Sequence, residues 1–467
     1  MIRAQSEDVP SELLSFFRSS DPNRDSDRFW VLLSEWYQDS ESDAWHARWG
    51  GFVFPEEANF LGASFTRDAN LVGATFTGDA YFRDVTFTRD ALFRGATITG
   101  NASFYAANFG REASFQSATF DGLADFRFST FSELTDFRSA TFTGADLREA
   151  RSSGVADFRS ATGNADVNFA SATFDGLADF RFSTFSGLTD FVETTFNGDA
   201  DFSDATFTHN ARFASLKLSG QRAFRMQRCS LAEVEFRSLD LQSLEAGVLR
   251  LAYADDMERL TLRDVNWPET PIGASSWWRA WSSNRPRTAD EWDLDNKATA
   301  RTGPTAKEVE RVYRGLRKNH EDSGDRVGAH DWYFSEMEVG RLHAKLFCRR
   351  TGLKRLSRSF YKATSNYGLS AIRPVFWLAT AIVLAFGFFS LGIGWCPARI
   401  GTVQAAETCV GMQERLQVEL LAIFLQSPPS GIVMSGVPGQ IVWLVLRVAG
   451  AAMLLSIGIA FRNQIAR

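Results

Sequence analysis

The chain has 467 residues and carries 50 Lys and Arg against 56 Asp and Glu, a net charge of −6. This balance excludes the strongly basic profile of a nucleic-acid binder, 4 cysteines exclude a disulfide scaffold, and 5 scattered histidines without an HExxH pattern argue against a histidine-built metal centre. Phenylalanine occurs 42 times against 8 tyrosines, an excess that calls for a periodic role.

Met1 to Ser20 lack a long apolar stretch and hold Glu7, Asp8 and Glu12, so no secretory segment is expected there, and residues 1–50 are expected to form an N-terminal cap. Within them DSDRFWVLLSEWY (26–38) reads as a short amphipathic helix with Phe29, Leu32, Leu33 and Trp36 on one side, a helical cap for the exposed end of a stacked array. From Phe60 to Phe224 the anchors then recur in alternating steps of five and six: Phe60, Phe65, Leu71, Phe76, Phe82, Phe87 and onwards, with a one-residue slip near Leu147. A small residue, usually Ala, stands two places before each anchor. Thr, Asn, Asp and Gly dominate the remainder, and these are poor helix formers. The pattern predicts a chain that turns a corner about every five residues, with four sides per coil of about 22 residues and β-type hydrogen bonds between coils. Roughly seven such coils make a rod some 35 Å long.

The triplets Ala58-Asn59-Phe60, Ala124-Asp125-Phe126 and Ala145-Asp146-Leu147 resemble the pentapeptide-repeat family. The resemblance implies a mainly β fold, a right-handed quadrilateral β-helix, here over residues 51–266. Phe126, Phe137, Phe158, Phe180, Phe191 and Phe202 are its expected core. Residues 117–137 and 171–191 differ only at Glu133 against Gly187, which points to internal duplication. Ser152 and Gly163 stand where Phe is expected and predict a weakened coil. Asp125, Asp136, Asp157, Asp179, Asp190 and Asp201 each precede an inward Phe, so they are expected to point outward into solvent. Residues 55–220 hold 22 acids and 13 bases. The resemblance raises DNA mimicry towards topoisomerase as one use of such a rod; Arg127, Arg138, Arg159 and Arg181 weigh against it by neutralising the stripe.

From Met226 to Leu262 the repeat decays into leucine spacing. Residues 267–304 form a Trp/Pro-rich linker with Trp267, Trp277, Trp278, Trp281 and Trp292. Thr305 opens a capping box for the first helix of a hairpin over 305–347; Gly324 ends that helix and Asp325 caps the second. Val309, Val312, Tyr313 and Leu316 are expected to pack on Ala329, Trp332 and Tyr333, and His330, Glu336 and Glu338 to form a solvated face. The hairpin resembles one found in membrane-bound pentapeptide-repeat proteins.

A basic juxtamembrane segment (348–374) leads into an expected transmembrane domain (375–467). Residues 375–395 and 441–461 read as two spans and 416–426 as a half-helix. Residues 341–373 hold nine Lys and Arg and no acid, which places both termini in the cytoplasm of a bacterial inner (plasma) membrane. Cys396 and Cys409, on the outer side, are a possible disulfide pair. Glu419, Ser427, Pro428, Pro429, Gly431 and Arg447 are the candidate pore or membrane-functional residues, Arg447 because a charge in a span is costly.

No phosphate-binding loop, dinucleotide fingerprint or nucleophile elbow is present, and the sequence calls for no catalytic residue, cofactor or metal. The expected function is a non-enzymatic cytoplasmic binding or scaffolding module tethered to the membrane. Its expected partners are membrane lipids and a protein partner or further copies of the chain, with no nucleic acid. The alternative is a channel-like homo-oligomeric pore gated or assembled by the rod.

Overall fold

The structure is a computed structural model. It describes residues 47–267 apart from 55–56, 219–222 and 242–248; residues 285–295, 303–343, 349–365, 367 and 372–390; strands at 398–400, 408–409 and 432–434; and residues 444, 447, 448 and 450–459. Two compact units divide between Asp322 and Ser323.

The first unit is a parallel β-solenoid of four strand columns. Face I runs through ten two-residue strands from Ala47–Arg48 to Leu249–Arg250, which gives about nine turns. Face II starts at Val53–Phe54, face III at Ala58–Asn59 and face IV at Ser64–Phe65. The solenoid thus has more turns than the seven that the period suggests. It begins at Ala47, inside the expected cap, and the leucine-spaced segment forms its final coils up to strand Thr261–Asn266, where the expected boundary at 266 lies. Leu239, Leu241, Leu249 and Leu251 are buried like the phenylalanines before them, and an inward aliphatic fills the column without breaking the backbone ladder. The expected helix at 26–38 lies outside the described residues.

The two step lengths have separate causes. The five-residue step passes a tight corner, where Ala107 N–H donates to Phe104 C=O at 3.0 Å. The penultimate residue of that corner is left-handed, and such residues recur every eleven positions, at Ala106, Ser117, Phe128 and Ser139. The six-residue step passes an open corner. There Gly122, Gly176 and Gly198 lie so close to the neighbouring coil that a Cβ would collide with its backbone.

Between the corners each strand turns one side chain inward, and the rings stack coil on coil. Phe158–Phe180 and Phe180–Phe202 centroids are 4.8 and 4.6 Å apart and the stacked rings are nearly parallel. Phe126, Phe137, Phe158, Phe180, Phe191 and Phe202 are all buried. The weak coil lies where the aromatic pattern fails. Register between neighbouring coils is 22 residues at Thr119↔Thr141 but 21 at Thr141↔Thr162. Gly163 replaces a stacked ring, and Val167, standing where the preceding coil carries Ala145, fills its place: a Cβ on Gly163 would lie 2.6 Å from Val167 Cγ2.

N–H groups of faces I and III donate to the following coil, as from Phe180 to Asp201 C=O, while those of faces II and IV donate to the preceding one, as from Thr119 to Ala96 C=O. The last coil must therefore expose N–H groups on face I and carbonyls beyond face II. Helix α1 (Ala289–Asp295) brings Asp290 to the former: Leu251 and Ala252 N–H donate to its carboxylate at 2.7 and 3.1 Å. Helix α2 (Ala306–Asp322) brings Asn319 to the latter, donating to the carbonyls of Met257, Glu258 and Leu260. Two side chains thus close a sheet edge that would otherwise template further strands.

The apolar face of α2, expected to pack on a hairpin partner, is engaged at this end. Val309, Val312, Tyr313 and Leu316 are buried, Tyr313 donates to Glu291, and Gly315 lies against Met257. Thr305 Oγ1 accepts from Glu308 N–H at 3.4 Å at its start.

The second unit contains α3 (Arg326–Leu342), capped by Asp325, α4 (Arg349–Ser365) and α5 (Ile372–Ser390), then a small antiparallel sheet of Ala398–Ile400, Thr408–Cys409 and Ile432–Met434. Residues 450–459 are helical. Among the described residues no helix is long and apolar enough to cross a membrane, so the two-span domain is not supported by the structure. α5 carries much of the expected first span, but its first turn is spent on Arg373 and Pro374, and residues 391–395 lie outside the described residues. The expected half-helix 416–426 also lies outside them, as do Trp277, Trp278 and Trp281 of the linker.

Candidate functional site

The outward residues of faces I and III form ladders of paired charge. On face I, Asp136, Asp157 and Asp179 follow one another in successive coils. Each accepts from the guanidinium two residues ahead: Arg138, Arg159 and Arg181 reach Oδ2 at 2.6 Å in every case. The backbone N–H of the same arginine also donates to Oδ1, at 3.0 to 3.1 Å, which shapes the tight corner. Two of the arginines also extend to the next coil, Arg138 at 3.7 Å from Asp157 and Arg159 at 3.6 Å from Asp179. Face III repeats the arrangement with Asp125–Arg127 and Asp146–Arg148, while Asp190 is held by Arg212 from the following coil.

These aspartates were expected to be solvated. Instead Asp136, Asp157, Asp179 and Asp190 are buried, because the planar guanidinium lies across the carboxylate and takes its place in solvent. The signal was available in the sequence as Asp-(Phe/Leu)-Arg, which recurs at 125–127, 136–138, 146–148, 157–159 and 179–181. The ladders neutralise themselves, which removes much of the negative field that a DNA mimic would need. On the III–IV corner Tyr105 stacks between Arg83 and Arg127, whose guanidinium carbons lie 4.7 and 5.4 Å from the ring centre.

Ionisable groups also gather at the C-terminal end of the solenoid. Arg285, Arg287 and Glu291 are buried together, and Tyr313 Oη donates to Glu291 at 2.6 Å. Burial works to raise the Glu291 carboxyl, but Arg285 and Arg287 outweigh it and hold the group below its ordinary range. Burial, with Glu291 beside it, pushes the Tyr313 phenol well above its usual value. Burial also raises Asp290 to about 6, against the hydrogen bonds from Leu251 and Ala252. Asp290 is engaged in closing the stack, and Arg285, Arg287, Glu291 and Tyr313 are bonded to one another beside it.

In the second unit Glu338 is buried and accepts from Lys362 of α4 at 2.8 Å, from Tyr367 at 3.0 Å and from Arg341 Nε at 3.2 Å. Burial opposes its ionisation, but Arg341 and Lys362 prevail and bring the carboxyl down to about 2. The expected solvated face of His330, Glu336 and Glu338 is therefore corrected in part. His330 is half-buried and meets the Arg326 carbonyl at 2.6 Å, whereas Glu336 and Glu338 are buried where α3 packs against its neighbours.

Of the candidate membrane residues, Glu419, Ser427, Pro428, Pro429 and Gly431 lie outside the described residues, as does Cys396. Cys409 sits in the short sheet opposite Arg399. Arg447 is helical and half-buried. Among the described residues no group of His, Cys, Asp and Glu is arranged to hold a metal ion.

Residues 50–97, 84–129, 115–162 and 169–215 match the family profile "Pentapeptide repeats (9 copies)". No curated protein sequence matches the chain. Among solved structures, HetL, described as a pentapeptide repeat protein involved in heterocyst differentiation regulation from the cyanobacterium Nostoc sp. strain PCC 7120, aligns at 16% identity. The alignment covers 48% of this chain and 92% of that one, with a TM-score of 0.22.

Proposed function

We propose, from the match of residues 50–162 and 169–215 to pentapeptide repeats, that the chain is a non-enzymatic binding or scaffolding protein whose solenoid is carried at the cytoplasmic face of a membrane by the second unit. One observation supports this reading above the others. Val375, Phe376, Trp377 and Val383 of α5 are exposed, as are Leu444, Val448 and Leu455. Clustered apolar exposure of this kind marks an interaction surface and not a solvated one. The solenoid differs from it: its inward columns are stacked inside and its Asp–Arg columns are paired, although Leu61, Leu123, Phe128 and Phe182 are exposed along it. The nine basic residues of 341–373 favour the cytoplasmic side.

The channel alternative rests on residues 416–431, outside the described residues, and DNA mimicry is disfavoured by the Asp–Arg ladders. The test is alkaline carbonate washing of membranes from cells expressing the full chain. Retention in the pellet is the expected result; release of the chain into the supernatant overturns the membrane reading.

A further inference from the structure

Helix α4 is turned inside out relative to a helix of a water-soluble domain. Its sequence RRTGLKRLSRSFYKATS contains Arg349, Arg350, Lys354, Arg355, Arg358 and Lys362 and no acid. A soluble helix would bury its apolar stripe and leave its charges in water. Here Lys362 is directed inward to Glu338, and Tyr361 packs on Tyr367 at a centroid distance of 5.8 Å. Leu356 and Phe360, one helical turn apart on the opposite side, are each 60% exposed. Lys354 is exposed and Arg355 and Arg358 are half-buried, and the helical spacing sets all three on the side of Lys362, opposite the apolar pair. Helix α5 follows on the same side of the chemistry: its first turns expose Val375 and Phe376, and Trp377 donates its indole N–H to the Ala363 carbonyl at the end of α4 at 2.9 Å.

We infer that α4 is an interfacial helix that lies in the headgroup layer of an anionic bilayer, with Leu356 and Phe360 inserted among the acyl chains and the Lys and Arg of its other face directed to lipid phosphates. An apolar pair on one face with a basic face behind it, and no acid in the helix, matches the boundary between acyl chains and negative headgroups. A protein groove would have to cover the apolar pair and supply carboxylates for the basic face. The Glu338 junction, where Lys362, Tyr367 and Arg341 converge, fixes the helix to α3 so that the apolar pair faces outward. The inference rests on the membrane reading above and adds the lipid class and the residues that meet it.

The experiment is hydrogen exchange by mass spectrometry on the full chain in nanodiscs of phosphatidylcholine alone and of mixed phosphatidylcholine and phosphatidylglycerol. Each Lys or Arg brought near an anionic surface strengthens its attraction by about fivefold. Exchange over residues 349–365 should therefore slow at least about fivefold in the mixed discs. The double variant Leu356→Glu/Phe360→Glu should lose that slowing while exchange over α3 stays unchanged, which shows that the junction remains folded. Equal exchange of 349–365 in both discs, with α5 protected in both, overturns the inference and leaves the membrane reading standing. Unprotected α5 in both discs overturns the membrane reading and this inference with it. Slowing that follows the number of chains per disc, and not the lipid, assigns the apolar pair to a second copy and also overturns it.

Discussion

Residues 117–137 and 171–191 are the same sequence but for one position, yet they occupy different sides of the solenoid. They are 54 residues apart, about two and a half coils of 22. Asp125 of the first copy therefore stands on face III, and its counterpart Asp179 stands on face I. The same local structure results in both places. Phe126 and Phe180 are buried, Phe128 and Phe182 adopt left-handed φ of 59° and 60°, and each aspartate is clasped by its own arginine. Eleven residues, half a coil, are thus the true structural unit, and diagonally opposite faces are interchangeable.

Where the copies differ, the neighbouring coil is responsible. Strand Thr119–Asp125 runs straight through its corner, beside the shortened coil, whereas the second copy breaks into Thr173–Phe174 and Ala178–Asp179. Asp136 is held by Arg138 in its own coil, while Asp190, followed by Val192, depends on Arg212 of the next.

The equivalence is broken most severely through the core. Phe126→Ala and Phe180→Ala should each cost about 3–5 kcal/mol, and chemical denaturation should give the same loss for both. A clear inequality would refute the half-coil unit.

The closed end sharpens the contrast with these mid-rod coils. Asp290 has a folded pKa, about 6, above its unfolded value. Its contribution is therefore fully present below the unfolded pKa, near 4, and is lost as pH rises through about 6. Stability measured from pH 4 to pH 7 should fall by up to about 3 kcal/mol on this account. Asp290→Asn should flatten that part of the profile. An unchanged slope in the variant would assign the effect elsewhere.

Next is the one position at which the copies differ. A Cβ on Gly187 would meet the backbone of Ala165 and Asp166, so Gly187→Glu should cost about 1–3 kcal/mol. Glu133 makes only an exposed 3.9 Å contact with Arg111, and Glu133→Gly should cost less than about 1 kcal/mol. Equal effects on melting temperature would show that the difference is drift and not packing.

A double-mutant cycle separates the two ladders. Asp190 and Arg212 should couple by about 1–2 kcal/mol, whereas Asp136 with Arg159, the arginine of its next coil, should not, because Asp157 stands in the register position that Arg212 fills for Asp190. The smallest effect belongs to the exposed rings. Phe128→Ser and Phe182→Ser should each change stability by less than about 0.5 kcal/mol, with Phe128 the larger because its ring packs on Tyr105 at 5.3 Å.

The solenoid was legible because each Phe is fixed by a period that repeats locally. A stacked coil meets only its neighbours, so sequence distance and spatial distance run together. The slip near Leu147 and the losses at Ser152 and Gly163 were legible for the same reason, and Val167 shows how the gap was filled. The aspartates were misread because alternation says only that a side chain points outward. Whether an outward carboxylate is bare or covered depends on the arginine two residues on, a relation between side chains that no hydropathy pattern contains.

The ends belong to tertiary structure alone. The orphaned N–H groups of Leu251 and Ala252 follow from the polarity of the coils, but nothing in sequence pairs them with Asp290, 39 and 38 residues away. The apolar face of α2 was legible as a stripe, and only the fold sets Gly315 against Met257 and Asn319 on the last carbonyls. In the second unit the sequence marks α4 as basic and α5 as apolar. The burial of Glu338 among Arg341, Lys362 and Tyr367, and with it the outward turn of Leu356 and Phe360, was decided by packing. Periodicity determines which residues share a face, and the desolvation of a particular charge determines which way that face must turn.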